Sequence, residues 1–275
     1  MSVAEMPTDH HTYHRGSVSV VHERGRGIAW RIWPGAHVLI DWLEKHKSEW
    51  DMSTVVEIGA GVGLVGIVCA QFAQQVVLTD LPEELPALVR SVESNCLDIQ
   101  EKLCVRPLGF GDVEMARSVA AQSTRKSLVI VGSELIYWES LFEPIAQTLK
   151  TFIYEFGAVC YIGYRIRVWK TEKRFFTKIL SQFGLEAEVV GQWRAVETDT
   201  GSQLSEGLVR IEEEGEWNTR VYRILKKKIS PLNPLDAEIW KAPEVYVDAR
   251  NESPTPTPKK KTAKIPKKER KGRVR

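Results

Sequence analysis

Cysteine is scarce in this chain. Only Cys69, Cys96, Cys104 and Cys160 occur in 275 residues, with no CxxC spacing and no interleaved histidine. That pattern argues against a zinc site and a disulfide framework, and the thiols read as buried or idle in a reducing compartment. No apolar run approaches the ~18 residues that a membrane span needs. A basic start followed by an apolar core is also missing, so secretion is not expected and the cytoplasm or nucleus is. Net charge is nearly absent too, at +2, but the balance hides an asymmetry. Lys259–Arg275 holds ten basic residues against Glu269, giving this tail +9 and the remaining 258 residues −7. Such a tail reads as a disordered arm, or more sharply as a nuclear-import signal or an anchor for acidic partners. The preceding Ser253-Pro254-Thr255-Pro256-Thr257-Pro258 reads as a linker.

The length suits one α/β domain with tails. The expected division is a disordered N-terminus over 1–15, a folded domain over 16–242, and a Pro-rich linker with a basic disordered tail over 243–275. His10, His11 and His14 fall in the first segment and read as a solvated tail, not a metal site.

What the chain does have is glycine in one place. Thr54-Val55-Val56-Glu57-Ile58 reads as a buried strand that breaks into Gly59-Ala60-Gly61-Val62-Gly63-Leu64-Val65-Gly66 and opens a helix. Glycines so spaced let the backbone turn tightly, approach a ligand and pack the helix onto the strand. Gly61 to Gly66 satisfies the dinucleotide fingerprint, whereas Glu57 with Gly59, Gly61 and Gly63 fits the acidic pattern of S-adenosylmethionine sites. Asp80 ends the next strand, 21 residues after Gly59, where a carboxylate accepts hydrogen bonds from ribose hydroxyls. Both cofactors carry a ribose, so these residues leave the choice open.

Around this unit, Ser17–Val21 alternates like an edge strand and Pro34 starts a helix through Leu43. Helices are expected over Leu64–Phe72, Pro82–Asn95, Leu141–Tyr154 and Glu172–Phe183. Strands are expected over Gln75–Asp80, Leu103–Leu108, Ser127–Gly132, Ala158–Gly163 and Glu186–Val190. Leu208–Glu212 and Arg220–Leu225 look like a closing antiparallel pair. Strands alternating with helices imply a doubly wound, mostly parallel sheet.

Six segments in order carry a resemblance: Trp33-Pro34-Gly35-Ala36, the loop from Val56 to Ile67, Leu78-Thr79-Asp80-Leu81-Pro82, Glu93-Ser94-Asn95-Cys96, Leu108-Gly109-Phe110-Gly111 and Gly132-Ser133-Glu134-Leu135-Ile136-Tyr137. So ordered, over roughly residues 28 to 183, the chain resembles the family-16 lysine methyltransferases. These are seven-strand enzymes with a D-x-x-Y motif; Tyr164-Arg165-Ile166-Arg167 and Phe175-Phe176 resemble the family's later strand and helix. The resemblance implies the Rossmann-like class I methyltransferase fold, a seven-stranded sheet whose last strand is antiparallel. It implies S-adenosylmethionine as cofactor, with Trp33, Gly59, Ala60, Gly61, Asp80, Phe110 and Ser133 lining its pocket. It makes Glu134 and Tyr137 the catalytic pair facing the methyl acceptor, a lysine of a protein substrate such as an elongation factor or chaperone. The chain departs from the family at two points: Glu134 stands for the Asp of D-x-x-Y, and Phe110 for the Trp of Leu-x-Trp-Gly. A monomer without membrane contact is expected, and no metal.

Three rivals stand beside this reading. A nicotinamide oxidoreductase commonly begins near its glycine loop, which more than fifty residues precede here. A nucleic-acid methyltransferase acting on base amino groups usually has an Asn/Asp-Pro-Pro-aromatic turn where this chain has Ser133 to Tyr137, and nucleic acid would enter through the basic tail. A non-catalytic S-adenosylmethionine-binding adaptor would keep the pocket without turnover.

Overall fold

The computed structural model describes residues 9–24, 27–49, 53–121, 127–195, 208–210 and 219–228. The Pro-rich linker and the basic tail lie outside them. A hairpin comes first: β1 (Asp9–Arg15) pairs antiparallel with β2 (Val18–Arg24) across Gly16-Ser17. The expectation of a disordered 1–15 is corrected for residues 9–15, and the strand at Ser17–Val21 gains a local partner. The reason lies in contacts distant in sequence. Val18 and Val20 are buried, Arg15 pairs with Asp41 at 2.5 Å and Glu44 at 2.7 Å, and the Asn95 amide bonds both backbone groups of Ser19.

Helix α1 (Pro34–Lys45) starts on Pro34, whose fixed φ and missing N–H suit a first helical position. Five strands and the helices between them follow. β3 (Thr54–Ile58) leads through α2 (Leu64–Cys69) to β4 (Gln75–Asp80). Next come α3 (Leu85–Glu93), α4 (Leu97–Gln100) and β5 (Leu103–Pro107). α5 (Val113–Ala121), β6 (Leu128–Ser133), α6 (Phe142–Phe156) and β7 (Val159–Arg165) complete the parallel part. α5 was not anticipated: it buries only Ala116, Val119 and Ala120, a small-residue stripe with little apolar contrast. α7 (Trp169–Arg174) runs on through a π turn at Phe175–Ile179 to Gln182, before β8 (Leu185–Ala195), β9 (Leu208–Arg210) and β10 (Thr219–Lys226).

The main sheet has the order β5-β4-β3-β6-β7-β10-β8-β9, seven long strands with the three-residue β9 at one edge. β3 to β7 pair in parallel, and β10 runs antiparallel to both β7 and β8. The last strand is thus antiparallel, as expected. The closing pair is not: β9 pairs with β8, and β10 inserts between β7 and β8. Burial explains the insertion. Val221 packs into the core on one face of the sheet while Tyr222 and Ile224 pack into the core on the other, so β10 is covered on both sides and cannot be an edge. Helices α5, α6 and α7 supply the second of these cores, and α1, α2 and the hairpin the first.

Strand order reverses between β3 and β6, which places the turns after both strands at one crevice. α1 closes on that crevice through two glycines. A Cβ on Gly163 would lie 2.2 Å from the Gly35 carbonyl oxygen and 2.6 Å from Leu39 Cβ, so helix and strand touch backbone to backbone. Gly163→Ala is expected to destabilise the fold by about 1–3 kcal/mol through overpacking, lowering the melting temperature by about 2–4 °C per kcal/mol. An unchanged thermal midpoint would show that α1 can step away from β7 freely.

Candidate active site

The turn after β3 is stitched to β4. The Ala60 N–H donates to the Thr79 carbonyl at 2.9 Å, the Thr79 hydroxyl to the Glu57 carbonyl at 2.7 Å, and the Gly63 N–H to the Ala60 carbonyl at 2.8 Å. Asp80, at the end of β4, clamps the turn: Oδ2 accepts the Gly61 N–H and Oδ1 the Leu81 N–H, both at 2.7 Å. Burial raises the Asp80 carboxyl above its ordinary value, and these two N–H groups oppose the rise. Glu57 is buried completely enough that its carboxyl is pushed up to about 8, although Oε2 accepts the Gly66 N–H at 2.7 Å.

Glycine is required here by the chain's own packing. Gly61 has φ 55°, and a Cβ on it would lie 2.6 Å from the Ala29 carbonyl oxygen, so the segment before α1 lies across the turn. A Cβ on Gly59 would meet Leu135 at 2.8 Å and Phe110 at 3.0 Å. Close approach of a ligand, the reason inferred from the glycine spacing, is therefore not needed to explain these two positions.

The turn after β6 carries the strained residue. Glu134 has φ 58°, the one positive φ outside glycine among the described residues. Such a conformation costs about 1–3 kcal/mol and persists only where its surroundings fix it. They do: the Glu134 N–H donates to the Gly163 carbonyl at 2.8 Å, Oε1 accepts the Gly35 N–H at 2.7 Å, and Oε2 lies 2.8 Å from Nη2 of Arg167. Burial raises this carboxyl, and the Arg167 charge and the Gly35 N–H pull it back. Glu134 was expected to face a methyl acceptor; its carboxylate is engaged by α1 and Arg167. Tyr137, three residues on, is partly exposed, with Trp138 at 4.8 Å between ring centroids. Trp33 donates its indole N–H to the Ile28 carbonyl at 2.9 Å, and the guanidinium groups of Arg31 and Arg167 lie 4.9 and 5.3 Å from its ring centre.

All nine residues singled out from the sequence line one cavity at this crevice: Trp33, Gly59, Ala60, Gly61 and Asp80 together with Phe110, Ser133, Glu134 and Tyr137. It holds about 890 Å³ of atom-free space, partly continuous with solvent. Sequence reasoning missed Arg31, Leu135 and Arg167, and left Glu57 as a motif residue only. Arg31 had no motif to mark it; Arg167 lay in a segment noted only as a resemblance.

The lysine methyltransferase family model matches residues 14–182. The chain belongs to the lysine methyltransferase family. Among its relatives, protein N-lysine methyltransferase METTL21A of Mus musculus is 34% identical over 161 residues, covering 58% of this chain and 71% of that one. METTL21A of Danio rerio is 29% identical over 65% of this chain and 82% of its own length. EEF1A lysine methyltransferase 3 of Mus musculus is 27% identical over 58% and 66%. A solved Streptococcus mutans structure, described as a candidate S-adenosylmethionine-dependent methyltransferase, shares the fold at TM-score 0.52 and 13% identity, covering 82% of this chain and 57% of that one.

Two measurements probe the electrostatics of this lysine methyltransferase. Unfolded Glu57 ionises near 4.5, whereas the folded carboxyl keeps its proton to about 8. The folded state thus binds more protons across that window, and stability falls as pH rises through it. Glu57→Gln removes this component, so its unfolding free energy relative to wild type should climb between pH 5 and pH 8. A difference independent of pH would show an ionised Glu57. Arg167→Met should cost about 1–3 kcal/mol by stranding the buried Glu134 carboxylate. Glu134→Gln in the same chain should recover part of it, with a coupling of about 0.5–3 kcal/mol. Additive losses would show that the pair does not act as a unit.

Proposed function

We propose that the cavity binds S-adenosylmethionine and that the enzyme transfers its methyl group to a lysine ε-amine of a protein substrate. One observation carries the reading: residues from the turns after β3, β4 and β6, from the start of α1 and from the loop before α5 converge on a single cavity at the reversal of strand order.

The residues present suit such a donor. Each Asp80 oxygen spends one lone pair on a backbone N–H and keeps another for a ribose hydroxyl. Phe110 and Leu135 give apolar walls for a base, and Glu57 offers a carboxyl whose ionisation a bound cation would favour. When bound, the donor supplies a sulfonium methyl for in-line displacement by the acceptor nitrogen. The chain's share is alignment and exclusion of water. A lysine must first lose its proton, which at pH 7 costs about 4.6 kcal/mol from a free value near 10.4. Burial of the amine beside the cationic donor lowers this cost, and Arg167, paired with Glu134, leaves that side of the cavity without an uncompensated carboxylate to hold the ammonium. Tyr137 presents a π face that can hold the amine, worth roughly 0.5–2 kcal/mol.

As acceptor we propose an elongation factor or chaperone in the cytoplasm or nucleus; likeness to EEF1A lysine methyltransferase 3 supports the former. Incubation with labelled donor and cell lysate, followed by mass spectrometry, should find label on lysine. Donor binding without any labelled protein would favour an adaptor. Asp80→Ala should weaken donor binding by roughly 10- to 150-fold, the worth of a hydrogen bond to a charged group. Unchanged affinity would remove Asp80 from the ribose site.

A further inference from the structure

Large apolar side chains on a folded surface are usually scattered. Here they are not. Of the nine exposed ones among the described residues, two line the cavity and three more are next in sequence to a residue that does. Ile28 and Tyr137 line it, and Leu81, Trp138 and Val168 each follow directly on a lining residue, Asp80, Tyr137 and Arg167. Trp138 is 58% exposed and Val168 57%. The Trp138 indole leans on Tyr137, and the Trp138 carbonyl accepts the Leu141 N–H at 3.0 Å, which anchors its backbone at the start of the helix that follows. An anchored, exposed tryptophan is a common centre of a protein interface.

Charge at the mouth is partly committed, and Glu84, whose charge reaches Tyr137 and whose carboxylate bonds Trp30, adds an acid there. Arg167 faces Glu134, Arg174 faces Glu139, and Arg31 is the outward cation, stacked on Trp33. We propose that this lip docks the segment of the protein substrate that carries the acceptor lysine, gripping an aromatic or aliphatic side chain one or two residues from it. The proposal rests on the methyl-transfer reading above. A bound segment must bring a lysine into the cavity, and an extended chain advances about 3.3 Å per residue, so its immediate neighbours in sequence lie near the rim, where Trp138 stands beside the lining residue Tyr137. An acidic residue on the far side would meet Arg31.

The test uses the full chain with Trp138→Ala, Trp138→Phe and Val168→Ser. Binding of S-adenosylhomocysteine by calorimetry should stay within about twofold of wild type in all three. Labelling of lysate proteins with tritiated donor should fall roughly tenfold or more in Trp138→Ala, the size of an interface hot spot, and recover in Trp138→Phe. The labelled lysines should be flanked within two positions by apolar residues more often than lysines at large. Undiminished labelling by Trp138→Ala, labelled sites without that enrichment, or loss of S-adenosylhomocysteine binding in Trp138→Ala would each overturn the docking role. A wild type that binds S-adenosylhomocysteine but labels nothing overturns the methyl-transfer reading, and docking falls with it.

Discussion

The carboxylate of Glu134 ties together three parts of the molecule that are far apart in sequence. It accepts the Gly35 N–H at the start of α1, so a side chain from the end of β6 caps a helix on the neighbouring layer. It faces Arg167 beyond the end of β7. Its own N–H is bound by Gly163 in β7, the residue against which Gly35 is pressed. Each contact compensates a cost that the others create. The left-handed backbone of Glu134 is unfavourable alone, and its buried charge would be so without Arg167 and Gly35. Two glycines in contact make room for the arrangement.

The cavity depends on this knot. Trp33 immediately precedes α1, and the strand of chain from Ile28 to Ile32 lies over the glycine turn, with the Ala29 carbonyl where a Cβ of Gly61 would be. Capping α1 with Glu134 therefore fixes the wall of the cavity formed by residues 28 to 36. From behind, Glu172 accepts the Arg167 N–H at 3.0 Å, so the latch is itself held by α7. Removing any of these groups would loosen a wall of the site without touching the residues on the opposite one, Asp80 and Glu57.

Local pattern made most of the fold legible. The strand, glycine turn and helix at Thr54 to Cys69, and Asp80 at the end of β4, could be read because each rests on residues close in sequence. What was hidden depends on distant contacts. β1 exists because Arg15 finds Asp41 and Glu44, and polar His10, His11 and His14 give no hint of it. β10 lies inside the sheet because both its faces meet a core that other strands build. In the site, order along the chain gathered nine residues onto one cavity, yet the partners of Glu134 could not be foreseen. Gly35 lies 99 residues away, and Arg167 was one arginine among many.

The departure from Asp to Glu at position 134 takes on meaning in this setting. The carboxylate is held by a helix N-terminus and an arginine, with one contact on each oxygen. Arg167 is paired with Glu134 and Arg31 lies on Trp33, while the buried carboxyl of Glu57 and the carboxylate of Asp80 stand on the β3 and β4 side. Acidic groups thus stand on one wall of the cavity and guanidinium groups on another. Glu134 holds Arg167 and α1 in place, and the extra methylene gives the carboxylate the reach to touch both.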